Sequence, residues 1–280
     1  MDEKKIHIEK NTVQETLIIP LFARKICSDH FPQLFEDKQA KKICASLDYD
    51  FSSKEKLMNS QIGLFGALEV AQRHYDLMYE IKDYLNTHPK ASVVNLGCGL
   101  DDTFSKVDNG LCKGYNIDLK DVIEIRKDFY GEMKSQTDIS CDLNDYAWMD
   151  LVDKENGAVF FASGVFYYLK KEDVRNLFDQ MAKSFPDGVL VFDVCNSRGA
   201  KAMTKTWIKE AGIKDVSPYF SLEDEGEMSG WSDYFESISS RSYMRGYRDI
   251  RKDVNFLHRV LIDLCDRFFK MRIVKICFKS

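Results

Sequence analysis

The sequence predicts an α/β fold with a doubly wound, mostly parallel sheet, and two features of the chain lead to this prediction. The first is the run VVNLGCGL at residues 93–100, where a short strand that is apolar on both faces enters a glycine turn. The second is a change of pattern near residue 90, with helical periodicity before it and strands alternating with helices after it. In such folds ligands bind beyond the carboxyl ends of the strands, so the sequence places a site there.

Residues 1–90 are predicted to form a helical cover. Apolar side chains recur at spacings of three and four over 13–30 and 64–86, and Pro89 follows the second stretch as a helix stop signal. This region is therefore expected to pack on the sheet and not to contribute strands to it.

Residues 91–196 are predicted to form the ligand-binding α/β core. The predicted strands are 92–96, 112–117, 137–141, 157–162 and 188–194, and the predicted helices are 101–107, 120–130, 144–152 and 171–184. Residues 251–280 complete this core with a last helix and a strand, 272–278, that can add antiparallel to the sheet edge.

Residues 197–250 break the alternation and are predicted to be a lid or substrate insertion. Their aromatic side chains can either clasp a flat apolar substrate or pack the lid itself. These aromatic residues are Trp207, Tyr219, Phe220, Trp231, Tyr234, Phe235, Tyr243 and Tyr247.

Length, composition and charge are consistent with a soluble enzyme. The 280 residues carry a net charge of −5 without a basic cluster, so nucleic acid is not an expected partner. No apolar run approaches the length of a membrane span, and the charged start MDEKKIHIEK is unlike a signal peptide, so a cytoplasmic location is expected. The eight cysteines form no CxxC or Cys/His cluster, which predicts reduced thiols and no metal site. The oligomeric state is left open.

The glycine turn and the acid that follows it predict a pocket for a ribose-bearing cofactor. Gly97 and Gly99 lack a Cβ, so the main chain can turn sharply and approach a ligand closely. Asp118 ends the second strand, where α/β folds place the acid that accepts hydrogen bonds from ribose hydroxyls. A GxG after a strand is by itself an ordinary turn, so the pairing with Asp118 carries the prediction.

The charge of this turn favours S-adenosylmethionine over a dinucleotide. Asp102 occupies the position of the third glycine of the dinucleotide fingerprint, and Asp101 lies beside it. Two carboxylates oppose a pyrophosphate, whereas S-adenosylmethionine has no phosphate and carries a cationic sulfonium group. An NAD-dependent oxidoreductase remains the alternative from another class.

Asp142 and Leu143 follow the third strand and are candidates for the adenine contact. Asp142 can accept from the adenine amino group, and Leu143 offers apolar contact to the ring. Asp142 can equally cap the predicted helix 144–152, and the sequence does not separate the two roles.

Several strings, in this order and spacing, resemble the leucine carboxyl methyltransferase family, and within it most the bacterial tetracenomycin polyketide-type O-methyltransferases. The strings are VVNLGCGLDDTF with VDNG, NIDLKDVIEIRK, CDL and SGVFYYL, and the resemblance spans roughly residues 12–195. It implies a class I S-adenosylmethionine-dependent methyltransferase fold, a helical N-terminal cover over the cofactor, and methyl transfer to an oxygen, often of a carboxylate.

The resemblance also implies roles for individual residues. Arg73 matches the arginine that holds the methionyl carboxylate, and a second basic contact falls on Arg24 or Lys25. The other matched positions are Gly97, Cys98 and Gly99 at the turn, Asp118 with Leu119 at the ribose, Asp142 with Leu143 at the adenine, and Tyr168 with the preceding Tyr167 as the catalytic pair. Ser163 stands where many family members have a glutamate, which leaves a non-catalytic S-adenosylmethionine-binding protein as a second alternative.

The residues near the expected acceptor site favour a carboxylate acceptor. A carboxylate with a pKa of about 4 is already ionised at neutral pH, whereas a phenol with a pKa of about 10 needs a base to overcome a cost of roughly 4 kcal/mol. The predicted acceptor segments contain no histidine. His74 and His258 are more often surface or core residues than bases in such positions.

Overall fold

The computed structural model describes residues 6–8, 13–131, 133–203, 219–242 and 244–280. The helices are α1 (Val13–His30), α2 (Lys38–Ser46), α3 (Ser52–Met58), α4 (Gln61–Thr87), α5 (Thr103–Val107), α6 (Lys120–Tyr130), α7 (Lys171–Ser184), α8 (Ser197–Met203) and α9 (Phe256–Leu264). The strands are β1 (Ile6–His7), β2 (Leu47–Asp48), β3 (Ser92–Leu96), β4 (Lys113–Asp118), β5 (Gln136–Ser140), β6 (Ala158–Ala162), β7 (Val189–Val194), β8 (Phe235–Ser242) and β9 (Arg272–Phe278). Trp207 and Tyr243 of the predicted insertion lie outside the described residues.

The predicted parallel sheet is confirmed. Within the described residues, seven strands follow the order β5-β4-β3-β6-β7-β9-β8, and the pairs from β5 to β7 are parallel. Strand β3 lies between β4 and β6, and all five of its residues are buried. A strand this short and apolar is expected inside a sheet that is covered on both faces, as the sequence predicts.

The strand register brings the predicted site positions to one level of the sheet. Leu96 pairs with Ile117 on one side and with Ala162 on the other, so Gly97, Asp118 and Ser163 follow at neighbouring strand ends. Ala162 also pairs with Phe192 of β7. The next residue of β7, Asp193, is therefore level with Ser163, and the candidate site is assembled from four adjacent strands.

Side chains alternate between two cores on opposite faces of the sheet, as the period of two in a strand requires. Val93 belongs to the core under α1 and α4, whereas its neighbour Val94 belongs to the core that includes Trp148. Helix α4 spans 27 residues and is capped by the preceding residue Ser60, whose hydroxyl accepts a hydrogen bond from the Gly63 N–H at 3.2 Å. The N-terminal helices thus cover one face of the sheet.

The last predicted strand, β9, is antiparallel to β7 as expected, but it is not the edge of the sheet. Strand β8 pairs with it from the outside, although residues 235–242 fall within the stretch predicted as an insertion. The sequence FESISSRS has apolar side chains only at Phe235 and Ile238, because an edge strand buries little, and the alternation was too weak to indicate a strand.

The described aromatic side chains of the insertion divide between the core and the surface, where Tyr219 and Tyr234 are exposed. Phe220 and Trp231 are buried, with ring centroids 6.3 Å apart, and Trp231 lies against Phe178 of α7. Tyr247 stacks on Tyr79 of α4. None of the helices in the described part of the chain combines the length and apolar character needed to span a bilayer.

The predicted helix 144–152 is a short 3₁₀ helix, Tyr146–Asp150. Asp145 caps it by accepting a hydrogen bond from the Ala147 N–H at 3.2 Å. Asp142 accepts from the Asn144 N–H at 2.9 Å and so closes the turn before the helix. The capping role that the sequence offered Asp142 therefore belongs to Asp145, because the helix begins later and is tighter than predicted.

Candidate active site

The glycine turn after β3 has the backbone geometry that the sequence predicted. Gly97 has φ +62° and Gly99 has φ +48°, which is the left-handed region where a side chain is strained. A Cβ on Gly97 would lie 2.6 Å from Cγ2 of Val165. Cys98 is buried between the two glycines, and its N–H donates to the Ile117 carbonyl at 3.0 Å. The turn is thus locked to β4 and to the segment after β6.

Asp118 is joined to this turn through backbone hydrogen bonds. Its Oδ2 accepts from the Gly99 N–H and its Oδ1 from the Leu119 N–H, both at 2.8 Å. Burial raises the pKa of Asp118, and the two N–H donors oppose that effect. The carboxylate is therefore held in a fixed orientation while its remaining lone pairs can accept further hydrogen bonds, as a ribose diol requires.

Arg126 of α6 fixes the other side of the turn, a role that the sequence analysis did not assign. Its Nη1 donates to the Gly99 carbonyl at 3.1 Å and to the Asp101 carbonyl at 2.6 Å. The side chain is buried and lies over the Tyr130 ring. The signal was present, because Arg126 is part of the string NIDLKDVIEIRK.

The structure separates Arg24 from Lys25. Arg24 is buried on α1 and its Nη2 donates to the Leu100 carbonyl at 2.8 Å, while its Nη1 lies 3.2 Å from Oδ1 of Asp101. Lys25 instead pairs with Asp29 at the surface, at 2.9 Å. Of the two predicted candidates, only Arg24 lies beside the glycine turn.

The turn is closer to neutral than the sequence predicted. Burial disfavours a charged Asp101, but His74, Arg24 and a hydrogen bond from the Thr103 hydroxyl together lower its pKa to about 2. Asp101 is therefore ionised and paired with Arg24. The charge that was expected to repel a pyrophosphate is thus compensated, so the charge argument alone does not decide the cofactor.

A cavity of about 200 Å³ opens over this turn, and we refer to it as the cofactor cavity. It brings together seven of the ten residues predicted to bind the cofactor. These are Arg24, Arg73, Gly97, Cys98, Gly99, Asp118 and Ser163. Asn95 and Tyr168 also line it.

Leu119, Asp142 and Leu143 are not among the residues that line this cavity. Leu119 is partly exposed at the start of α6, Asp142 is exposed, and Leu143 is buried in the core below. The Cys141 N–H donates to the Asp118 carbonyl at 2.9 Å, so these residues lie next to Asp118. Their contact with the adenine ring remains a prediction.

Arg73 of α4 belongs to a network centred on Asp193, which the sequence analysis missed. Arg73 Nη1 lies 2.9 Å from Oδ2 of Asp193, and the Tyr167 hydroxyl donates to the same oxygen at 3.2 Å. The Gly164 N–H donates to Oδ1 at 2.6 Å. An acid inside the otherwise apolar strand VLVFDV was the available signal. Asp193 thus positions a cation, a hydroxyl and a glycine at the same strand ends.

A second cavity of about 290 Å³ adjoins the first, and we refer to it as the acceptor cavity. Most of its wall is apolar and comes from helices, including Phe65 of α4 and Leu261 of α9. The two cavities share part of their walls, at Pro20, Val70, Arg73, Ser163, Gly164 and Tyr168. A group bound in one cavity therefore faces a group bound in the other.

The predicted catalytic tyrosines occupy different positions. Tyr167 is buried, donates to Asp193 and lines only the acceptor cavity, whereas Tyr168 lines both cavities. Partial burial raises the pKa of Tyr168, whose surface is still 41% exposed, so its phenol is protonated at neutral pH and can donate a hydrogen bond at the junction.

Neither histidine considered from the sequence reaches the acceptor cavity wall. His74 is buried beside Thr103 on the cofactor side, and Nε2 of His258 contacts the Gln61 carbonyl at 3.0 Å. Two acidic groups do line that wall, Asp193 of β7 and Glu69 of α4, and the sequence analysis identified neither. Burial raises the pKa of Glu69 to about 7, and the Cys265 thiol and Arg73 oppose that shift.

The sheet order, the glycine turn and the strand-end acid define a class I methyltransferase fold. Over residues 18–182 the chain matches the model of the leucine carboxyl methyltransferase family, which is more than half of its length. The chain belongs to this family, and the predicted resemblance is confirmed. Members of this family use S-adenosylmethionine as cofactor, so an NAD-dependent oxidoreductase is excluded as the interpretation of the glycine turn.

One relative is the tetracenomycin polyketide synthesis O-methyltransferase TcmP of Streptomyces glaucescens. It is 27% identical over 183 residues, which cover 65% of this chain and 65% of that protein. The match therefore spans slightly less than two thirds of the relative.

Solved structures agree on the fold. A DUF574 family protein from Streptomyces avermitilis has a TM-score of 0.64 at 8% identity, covering 95% of this chain and 97% of its own. A putative methyltransferase from Thermobifida fusca has a TM-score of 0.57 at 12% identity, covering 76% and 83%.

Proposed function

We propose that this protein is an S-adenosylmethionine-dependent O-methyltransferase whose acceptor is a small, largely apolar molecule. The observation that carries the proposal is the junction of the two cavities at Arg73, Ser163, Gly164 and Tyr168. A methyl donor in the polar cavity and an acceptor in the apolar one would meet there. TcmP, by its name an O-methyltransferase, supports oxygen as the acceptor atom.

Within this proposal the chain's residues bind and orient. Asp118 holds the ribose hydroxyls, and Arg73 binds the methionyl carboxylate through the guanidinium, which can form two parallel hydrogen bonds. When bound, S-adenosylmethionine supplies an electrophilic methyl group on a sulfonium. Holding the acceptor oxygen in line with that methyl group can supply roughly 7–11 kcal/mol of rate enhancement.

The acceptor group expected from the sequence was a carboxylate, because no base was found near the acceptor site. Glu69 on the wall of the acceptor cavity removes that premise. The proposed acceptor atom is therefore an oxygen, which belongs to either a carboxylate or a hydroxyl group. The role of Glu69 decides between these two groups.

Ser163 favours a second candidate, a non-catalytic S-adenosylmethionine-binding protein. It lies at the cavity junction, where many family members have a glutamate. This candidate predicts tight binding of the cofactor and no methylated product from any apolar acid or phenol.

Calorimetric titration with S-adenosylmethionine, S-adenosylhomocysteine and NAD tests the proposal, together with release of S-adenosylhomocysteine on addition of apolar phenols and acids. We expect the two adenosyl ligands to bind, NAD not to bind, and at least one acceptor class to react. Asp118→Ala should weaken S-adenosylmethionine at least tenfold, about 1.4 kcal/mol, through loss of the ribose contact. Asp150→Ala is the matched control, since Asp150 is exposed and does not line the cavity.

Binding without turnover would select the non-catalytic candidate. Equal affinities of the wild-type chain and a folded Asp118→Ala variant would remove Asp118 from the cofactor site.

A further inference from the structure

Glu69 lies where an acceptor would bind and is not required by the cofactor. It is on α4, one helical turn before Arg73, and it lines the acceptor cavity but not the cofactor cavity. Arg73, in contrast, lines both cavities and is paired with Asp193. Among the described residues, Glu69 and Asp193 are the acidic groups that line only the acceptor cavity, and Asp193 is already paired with Arg73 and Tyr167.

The surroundings of Glu69 leave its carboxylate available for a proton. Within the described residues its hydrogen-bond donor is the Cys265 thiol, 3.5 Å from Oε1, which is a weak donor. The neighbouring wall is apolar and includes Phe65, Leu261 and Leu264. A carboxylate with few donors in such surroundings binds a proton more readily than one in water.

The charged and titratable groups that face Glu69 come from several elements. Arg73 is on the same helix and Cys265 begins the turn after α9, while Asp193 and Cys195 end β7. Tyr167 and Tyr168 follow β6 and complete the set. Arg73 favours the ionised form of Glu69 and burial disfavours it, and burial has the larger effect.

We propose that Glu69 is the base that receives the acceptor's proton, and that the acceptor group is a hydroxyl, phenolic or enolic, on an apolar small molecule. The inference rests on the proposed function and names its substrate class. It replaces the carboxylate acceptor expected from the sequence, because an ionised Glu69 and a carboxylate in the same apolar cavity repel each other.

In the proposed step the acceptor O–H bond breaks and its proton moves to a Glu69 carboxylate oxygen. The acceptor oxygen forms a bond to the methyl carbon, and the bond from that carbon to sulfur breaks. Its electron pair stays on sulfur and neutralises the sulfonium charge. The products are a methyl ether, S-adenosylhomocysteine and protonated Glu69, which then releases its proton to water. A pKa of about 7 suits this cycle at neutral pH.

The test compares naphthol with naphthoic acid of the same ring position, as matched probes of a hydroxyl and a carboxylate. We measure kcat and KM for release of S-adenosylhomocysteine across pH, in the wild-type protein and in Glu69→Gln. Naphthol should be the better acceptor, with a rate that rises as the pH passes through about 7, since Glu69 must be ionised to take the proton. Glu69→Gln should lower kcat for naphthol by about 10²–10⁴-fold and remove this pH step.

Glu155→Gln is the control, because Glu155 is exposed and precedes the amino end of β6, whereas the cavities lie at the carboxyl end of that strand. Calorimetry with S-adenosylhomocysteine should give the same affinity for all three proteins, which shows that the cofactor cavity is intact. A purely structural Glu69 would lower the yield of folded protein without moving the pH step.

Preference for naphthoic acid, or a Glu69→Gln variant that keeps the naphthol rate and its pH step, would overturn the proposal while leaving a methyltransferase. If neither probe reacts, binding of the two probes to the S-adenosylhomocysteine complex decides: absence of naphthol binding, or binding that is independent of pH, also overturns it. Failure of the adenosyl ligands to bind would instead overturn the proposed function.

Discussion

The two cavities are built from different parts of the chain. The cofactor cavity is formed by turns at strand ends, where backbone hydrogen bonds fix each polar group, as with Asp118 and the N–H groups of Gly99 and Leu119. The acceptor cavity is formed largely by side chains from separate helices, such as Phe65 and Leu261. Polar groups at the sheet edge are thus fixed by backbone hydrogen bonds. The shape and polarity of the acceptor cavity depend instead on the side chains that the neighbouring helices carry.

The largest expected effect tests whether the boundary between the cavities depends on Asp193. Asp193→Ala leaves the largely buried Arg73 guanidinium without its partner acid and removes acceptors from Gly164 and Tyr167. The free energy of unfolding should fall by about 3–5 kcal/mol, measured by urea denaturation.

Asp150→Ala is the matched control, since it removes the ion pair with Lys154 at 3.4 Å on the surface and should cost at most about 1 kcal/mol. Equal losses in the two variants would show that the Asp193 network is not what holds the junction.

A smaller effect is expected from a single methyl group on the fixed side of the comparison. Gly97→Ala and Gly110→Ala both place a Cβ at positive φ, which costs roughly 1–2 kcal/mol. Only at Gly97 does the Cβ meet another group, Val165 at 2.6 Å, whereas Gly110 has open space. Gly97→Ala should therefore lose more stability and also weaken S-adenosylmethionine in a calorimetric titration. Equal losses of stability and of S-adenosylmethionine affinity in the two variants would contradict this prediction.

The smallest effect concerns the pH dependence of stability on the acceptor side. The pKa of Glu69 is raised from 4.5 to about 7 in the folded chain, so the folded state binds more protons than the unfolded state between these values. Stability should therefore decrease as the pH rises from 4.5 towards 7. Asp76, whose pKa burial raises to about 7, contributes a decrease in an overlapping range.

Glu69→Gln should make this decrease shallower in urea denaturation at several pH values, with the Asp76 contribution remaining. Glu155→Gln should leave the slope unchanged, and an unchanged slope in Glu69→Gln would show that Glu69 titrates alike in both states.

The sequence predicted the geometry of the glycine turn and the strand-end acid because local patterns determine it. A strand, a glycine turn and an acid at the end of the next strand are close in sequence and remain close in space, so Gly97 and Asp118 could be placed by spacing alone. Arg126 could have been predicted, since the matched string contains it. Asp193 could also have been suspected, as a single acid in an apolar strand.

The acceptor side could not be predicted in the same way. Glu69 faces the cavity because α9 and the turn at Cys265 pack beside α4, nearly 200 residues later in the chain. Strand β8 was missed because an edge strand with two apolar residues has no clear alternation. The predicted domain boundaries, and the adenine role of Asp142 and Leu143, stay predictions.

The wall shared by the two cavities has a thermodynamic consequence. Pro20, Val70 and Arg73 contribute to both cavities, so the two ligands would touch the same side chains. A ligand that orders these side chains lowers the cost of binding the second ligand, and the coupling must be equal in both directions. An acceptor that binds more tightly to the S-adenosylhomocysteine complex than to the free protein would, by the same factor, strengthen the binding of the spent cofactor. In the proposed reaction, acceptor binding and cofactor binding are thus coupled through six residues that belong to neither cavity alone.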